Sequence, residues 1–364
     1  MTKLLILALL ALPCWGAWGN GYTYRYTDAI DYTKVGSSTH ANFPALYCRT
    51  DAALAHTSHG GYATDLNGYD IVLTSDAPGN TRLDHEIERY DHATGEFCVW
   101  VREPSVSHLA NTLTYIFVGN ASVTTSQENI TGVWNSNYLG VWHLPNGTTL
   151  SALDSTSNAK HGTVVNASAV AGKVDGGAQS SGVTQQITLP ANLFSSNVLT
   201  LSAWVHFADV ASYQGIISIY ASDGDSMEIM VDNGTHLFGG NYTNRALSAA
   251  GSISVTGYYY VVLTSDGTIT QFYINGAPSG TTGTTHFSTF SATGQLLNRG
   301  NTAYPMASGS ILDEVCLSSI VRSADWILAE YNNQFDPSTF WVGGGTWETY
   351  AGTGATRHRG ISIR

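Results

Sequence analysis

The nine residues LTLSAWVHF, 199–207, constrain this chain more than any other stretch. Leu199, Leu201, Ala203, Val205 and Phe207 alternate with Thr200, Ser202, Trp204 and His206. A period of two is that of a β-strand with one face in a core and the other directed away from it. The run TITQFYI repeats the pattern, with Thr270, Phe272 and Ile274 inward and Gln271 and Tyr273 outward. Asp266-Gly267 joins it to YYYVVLTSDG as a tight hairpin, and Asn275-Gly276 turns the chain again. GIISIYA (215–221), SMEIMVDNGTHLFGG (226–240) and SILDEVCLSS (310–319) read as further strands. Composition points the same way: charged residues are 12% of the 364, against 38 Gly and 20 Tyr. Few helix formers and many turn residues predict an all-β protein of two β-sandwich domains with a short C-terminal helix.

The chain divides at residues 131–163, where two Gly-Val-Trp triplets, at Gly132 and Gly140, precede an oxygen-rich turn. Residues 1–17 read as an export signal, with Lys3 as the positive charge and residues 4–12 as an apolar run too short to span a bilayer. Residues 18–135 form a first module, 136–336 a second, and 337–364 a Gly-rich flexible tail. These features predict a secreted protein, extracellular or at the cell surface, with no membrane insertion. The formal net charge of −12 disfavours nucleic acid and anionic membranes as partners.

In the first module, strand runs stand at 69–75, 85–91, 96–102 and 112–120, with turn chemistry between them. Asp84, Glu86 and Glu88 alternate on one of these runs, which puts three carboxylates on one face. Paired acids of this kind do retaining glycoside hydrolysis, but a solvent-facing strand edge produces the same pattern and is the better account. Cys48 and Cys98 lie in apolar runs and either pair, as an oxidising compartment allows, or stay as buried thiols; Cys316 is left over. The segments DYTKVGSSTHANFPALYCRTDAAL, DIVLTSDAPGNTRLDHEIERYDHATGEFCVWVREPSVS and TYIFVGNAS together resemble a bacterial domain of unknown function. That resemblance implies an exported protein with a jelly-roll domain directly downstream, and brings no activity.

The second module resembles the concanavalin A-like, laminin-G-like jelly-roll family. The pieces GVWHL, DSTSNAKHGT, GKVDGGAQSSG, LTLSAWVHF, GIISIYA, FYINGAP and GSILDEVCLSS stand in the family's order. VRSADWILAEYNNQ follows as the usual terminal helix, with Ser323 as N-cap and Asp325 in its first turn. The resemblance implies a structural Ca2+, which maps onto Asp154, Asn158 and Asp313. AQSSGVTQQ departs from the family at the point where an aromatic-Asp-Gly usually stands, which weakens that ligand set. On the outward face, Trp204, His206, Tyr260 and Tyr273 form a candidate ligand-binding surface where rings stack on sugars, unless loops or the first module cover it.

Other motifs are sparse. His56 and His59 sit in a Gly/Ser loop, without the spacing of a metal motif, and six Asn-x-Ser/Thr sequons begin at Asn120, Asn129, Asn146, Asn166, Asn233 and Asn241. No nucleophile elbow, phosphate loop or dinucleotide fingerprint is present. The reading is a non-catalytic binding or adhesion protein that recognises a polysaccharide or glycoconjugate, with other surface proteins as further partners. Two alternatives stand beside it: a structural subunit of a surface appendage or virion fibre, and a glycan-cleaving enzyme that uses Glu86 and Glu88.

Overall fold

A computed structural model describes residues 18, 20–145, 147–182, 184–284 and 287–350. The export signal at 1–17 and the sequon at Asn146 lie outside them. The class is all-β, with the short terminal helix in its expected place. No helix of the described residues is long and apolar enough to cross a membrane.

The first module is a sandwich of a four-stranded and a three-stranded antiparallel sheet. One sheet holds Tyr24–Ile30 between Thr112–Val118 and Glu348–Thr349, with Val72–Thr74 on the far side of Thr112–Val118. The other holds Glu96–Val106 between His40–Thr50 and His85–Asp91. Phe43, Ala45 and Tyr47 meet Phe97, Val99 and Val101 on its inner side and pack against Tyr26, Ile30, Ile116 and Val118 of the facing sheet. Cys48 and Cys98 stand directly opposite each other on neighbouring strands and are bonded.

The 337–364 segment was expected to be a flexible tail, and its described part is not. Pro337–Phe340 forms a short helix, and Trp341 and Phe340 enter the first module's core. Glu348–Thr349 adds an edge strand to Tyr24–Arg25, and Trp347 Nε1 donates to Asp51 at 3.1 Å. The aromatic residues explain the difference: six Gly in this segment suggest freedom, but buried Trp341 and Phe340 decide the outcome. Residues 351–364 lie outside the described residues.

Glu103, on Glu96–Val106, is 1% exposed in the first module, where Thr114 Oγ1 donates to it. Burial pushes its carboxyl up to about 7, against the Thr114 hydrogen bond, which lowers it. The folded state therefore keeps a proton that the unfolded chain releases near its ordinary value of 4.5. Its contribution to stability is full below that value and is lost as pH rises to about 7, a drop of roughly 3 kcal/mol at most. We expect Glu103→Gln to flatten this part of the pH dependence. Urea midpoints at pH 5 and pH 8 would show it, and an identical loss in variant and parent would contradict the assignment.

The second module is a jelly roll of two facing sheets. One contains Val198–His206 between Tyr258–Asp266 and Ile311–Ser318, continued by Ile269–Ile274 and Ala277–Thr284. The other runs through Gln186–Ala191, Thr293–Leu296, Gln214–Ser222, Asp225–Val231 and Leu237–Gly240. Leu199, Leu201, Ala203, Val205, Phe207, Phe272 and Ile274 all lie in the core between them, as their spacing predicted. Asn275 and Gly276 both take positive φ, +51° and +80°, which is the geometry of a two-residue hairpin turn.

The terminal helix Ala324–Phe335 is wedged between the modules. Ser323 Oγ accepts the Trp326 amide at 3.2 Å, as an N-cap does. Asp325 accepts hydrogen bonds from Ser37 and Ser38 of the first module at 2.8 and 2.7 Å. Trp326 joins the first module's core, whereas Ile327 packs on Trp204, Tyr260 and Val262 of the second.

Candidate functional site

The face expected to bind a ligand is closed over Trp204 and Tyr260, with His206 and Tyr273 partly exposed at its margin. Trp204 is 0% exposed; its Nε1 donates to Gln334 Oε1 at 2.6 Å, and its ring lies 5.9 Å from that of Tyr331. Tyr260 is buried beside it and donates its hydroxyl to Glu330 Oε2 at 3.0 Å. Tyr273 is half-buried in the same cluster, and His206 packs its ring 5.4 Å from Tyr258. Gln334, Tyr331 and Glu330 belong to the terminal helix. Alternation correctly put these four side chains away from the core, but it carries no information on what packs over them.

The proposed calcium ligands do not form one cage. Asp154 accepts the amides of Val141, Thr156 and Lys160, together with the Thr156 hydroxyl. Asn158 uses its amide nitrogen on the Tyr138 and Leu139 carbonyls. Asp313 instead takes the Lys173 and Val174 amides, at 2.7 and 3.0 Å, and shares no hydrogen-bond partner with the other two. Each carboxylate braces a loop, so these residues do not fit as a joint calcium site.

The open aromatic surface is on the opposite sheet. Along Asp225–Val231, Met227, Ile229 and Val231 point into the core, and Glu228 and Met230 point out. Glu228 is fully buried nonetheless, because Arg299 lies over it. The guanidinium donates through Nε and Nη2 to both carboxylate oxygens at 2.9–3.2 Å, and Ser218 Oγ adds a bond at 2.6 Å. Gly215 permits the close approach: a Cβ there would sit 2.4 Å from the Arg299 amide. Arg299 stacks over Tyr220 at 4.3 Å and pairs with Asp223 at 2.9 Å.

Around this fixed cation lies a pocket of about 230 Å³, lined by Tyr213, Asp223, Met230, Phe238, Tyr242, Arg299 and Tyr304. Tyr242 is 43% exposed and Asp223 stands at the rim. The Tyr213 phenol pKa is raised, first by hydrogen bonding with Tyr242 and then by burial, and its ring meets that of Tyr304 edge-on at 6.0 Å. Arg245 stacks on Tyr242 and Phe238 and is anchored by Asp232 at 3.2 Å. Apolar ring faces beside fixed donors and acceptors suit a polyhydroxylated ligand. Sequence reasoning missed this site, because Tyr213, Tyr242, Arg299 and Tyr304 lie outside the strands, where no periodicity marks them.

Glu86 and Glu88 are not on a solvent-facing edge. Their side chains are 11% and 3% exposed, on the outer face of the three-stranded sheet where the second module packs. Glu86 accepts hydrogen bonds from Trp134 and Ser155, both at 2.7 Å, and Glu88 accepts one from Trp100 at 3.1 Å. His143 stands between them and Glu314. Burial pushes the imidazole pKa down, but the charges of Glu314, Glu88 and Glu86 overcome that and hold it well above its usual range. Burial lifts the Glu88 carboxyl to about 8. The strand pattern of Asp84, Glu86 and Glu88 was visible in the sequence; the covering module was not.

Residues 180–328 match the family described as the concanavalin A-like lectin/glucanases superfamily. No curated protein matches this chain. Among solved structures, one likeness is to domain 4 of AbnA, an extracellular arabinanase of Geobacillus stearothermophilus in complex with arabinotriose. It shows 19% identity and a TM-score of 0.41 over 53% of this chain and 98% of that domain. A second is the binding domain of botulinum neurotoxin serotype D, at 13% identity and TM-score 0.43, over 57% of this chain and 53% of that one. A third is Trypanosoma rangeli sialidase, at 14% identity and TM-score 0.45, over 62% of this chain and 41% of that one. Likenesses this loose assign no residue of this chain a role.

Proposed function

We propose that this is an exported, non-catalytic carbohydrate-binding protein whose second module holds a glycan in the pocket between Tyr213, Tyr242 and Tyr304. The observation that carries the reading is the set of open tyrosine rings around an arginine held by a buried carboxylate. A guanidinium locked in this way loses little conformational freedom when it meets a ligand. Counting Arg299 and Arg245 against Asp223, Glu228 and Asp232 leaves no surplus of positive charge, which favours a neutral sugar over an acidic one. The concanavalin A-like match over 180–328 supports the ligand class. Export is supported by the apolar run at 4–12 and the Cys48–Cys98 bond. Glu86 and Glu88, the pair a glycan-cleaving reading requires, are occupied by Trp134, Ser155, Trp100 and His143 in the interface.

Affinity electrophoresis against soluble neutral polysaccharides, after a glycan-array screen, tests this reading. Tyr242→Ala and Tyr304→Ala are each expected to weaken retention about tenfold, or ~1.4 kcal/mol. Retention that both variants leave unchanged would remove the pocket from consideration.

A further inference from the structure

Where the modules meet, Glu88 of the first and His143 and Glu314 of the second bring three ligand atoms within 4.8 Å of one another. His143 Nδ1 lies 2.9 and 3.0 Å from the two Glu314 oxygens and 3.5 Å from Glu88 Oε2. Ligands bound at about 2.1 Å to one divalent ion stand roughly 3–4 Å apart, so the spacing is that of a coordination sphere. The other ring nitrogen, Nε2, faces Glu86 Oε2 at 3.3 Å. A carboxylate behind the distal nitrogen is the usual support of a metal-bound imidazole, since it orients the ring and raises its basicity. Glu86 is itself held by Trp134 and Ser155.

Three further observations point outward from the cluster to a ligand. Among the described residues no Lys or Arg pairs with Glu86, Glu88 or Glu314, so His143 alone faces three carboxylates. Beside them, next to Glu314 on the same strand, stands fully buried Asp313, whose Oδ1 has no hydrogen-bond partner among the described residues. A cleft of about 280 Å³, lined among others by Glu86, Glu88, His143 and Ser155, runs to the cluster and gives an ion and a completing water a way in.

We propose that Glu88, His143 and Glu314 bind one divalent transition metal of the zinc class, with Glu86 as the positioning residue behind His143. Imidazole with two carboxylates suits such an ion better than calcium or magnesium, which take oxygen ligands. Glu88 comes from His85–Asp91 and Glu314 from Ile311–Ser318, so the ion ties one module to the other. This site is separate from the tyrosine pocket, and either can fail without the other.

The test uses the full chain, stripped with chelator and titrated with Zn2+ by calorimetry, with metal content measured after gel filtration. One equivalent is expected. His143→Gln and Glu314→Gln should weaken it at least a hundredfold, and Glu86→Gln about 10–100-fold. His59→Gln is the control, because His59 and His92 lie 5.5 Å apart on the surface and are the obvious adventitious site. Absence of saturable binding, binding that persists in His143→Gln, or binding lost in His59→Gln would each overturn the proposal. Should the interface variants not fold, the Co2+ form of the parent decides. Intense visible bands of a four- or five-coordinate ion are expected, and the weak spectrum of a six-coordinate hydrated ion would overturn it.

Discussion

Trp204→Ala is expected to destabilise the protein by about 3–5 kcal/mol and to leave glycan retention by the folded fraction unchanged. The ring is 0% exposed, 5.2 Å from Tyr260 and 5.9 Å from Tyr331, with Lys173 Nζ 5.2 Å from its centre. Its removal opens a cavity under the terminal helix and leaves Gln334 Oε1 without the indole donor. The cost is therefore a transfer term, a cavity term and a lost buried hydrogen bond together. Loosening the helix also loosens its grip on the first module, because Trp326 and Asn333 of the same helix hold Phe43 and the Leu46 backbone. Urea unfolding measures the first part and affinity electrophoresis the second. A loss under about 1 kcal/mol, or a folded variant that no longer binds, would show the helix to be a removable cover over a working site.

Glu228→Gln should cost about 3 kcal/mol and abolish glycan retention. Glu228 is buried, and its partner Arg299 is nearly so, with a side chain 6% exposed. Removing one charge strands the other, since the remaining partner, Asp223, is 66% exposed and already shared with solvent. The guanidinium would then be free to leave Tyr220 and Tyr304, and with it the wall of the pocket. Replacing both residues by apolar ones of similar size, Glu228→Leu with Arg299→Met, should recover most of the stability without recovering binding. A double-mutant cycle read by thermal unfolding separates the two effects. Additive losses in the cycle would mean that the pair is not coupled as the geometry requires.

Some functional groups left a trace in the sequence, and others left none. The carboxylates Glu86 and Glu88 were visible as an alternating pair, but their partners His143 and Glu314 were not. The only mark either carried was to be an ionisable residue inside an apolar run, GVWHL and ILDEV. Glu314 also takes a φ of +50°, at a point where the strand's pairing with Val198–His206 slips by one residue. That irregularity shifts the alternation, so counting along the strand could not say which way Glu314 points.

What the sequence by itself determined is local: the strands, their inward faces, the hairpin at Asn275-Gly276 and the Ser323 cap. Each of these depends on the backbone and on neighbours a few residues away, so a period of two or a turn pair is enough to read it. Only the tertiary structure decided which outward face stays open. Trp204 and Phe238 both point away from the core between the sheets, and they differ in what lies above them. A helix more than a hundred residues downstream seals Trp204, whereas Arg299 and three loop tyrosines leave the Phe238 side accessible. The same holds for Glu86 and Glu88, which became a buried junction because a second folded body lies against their strand. Packing between distant segments is set by shape and buried area across the whole molecule, and no stretch of residues read on its own contains it.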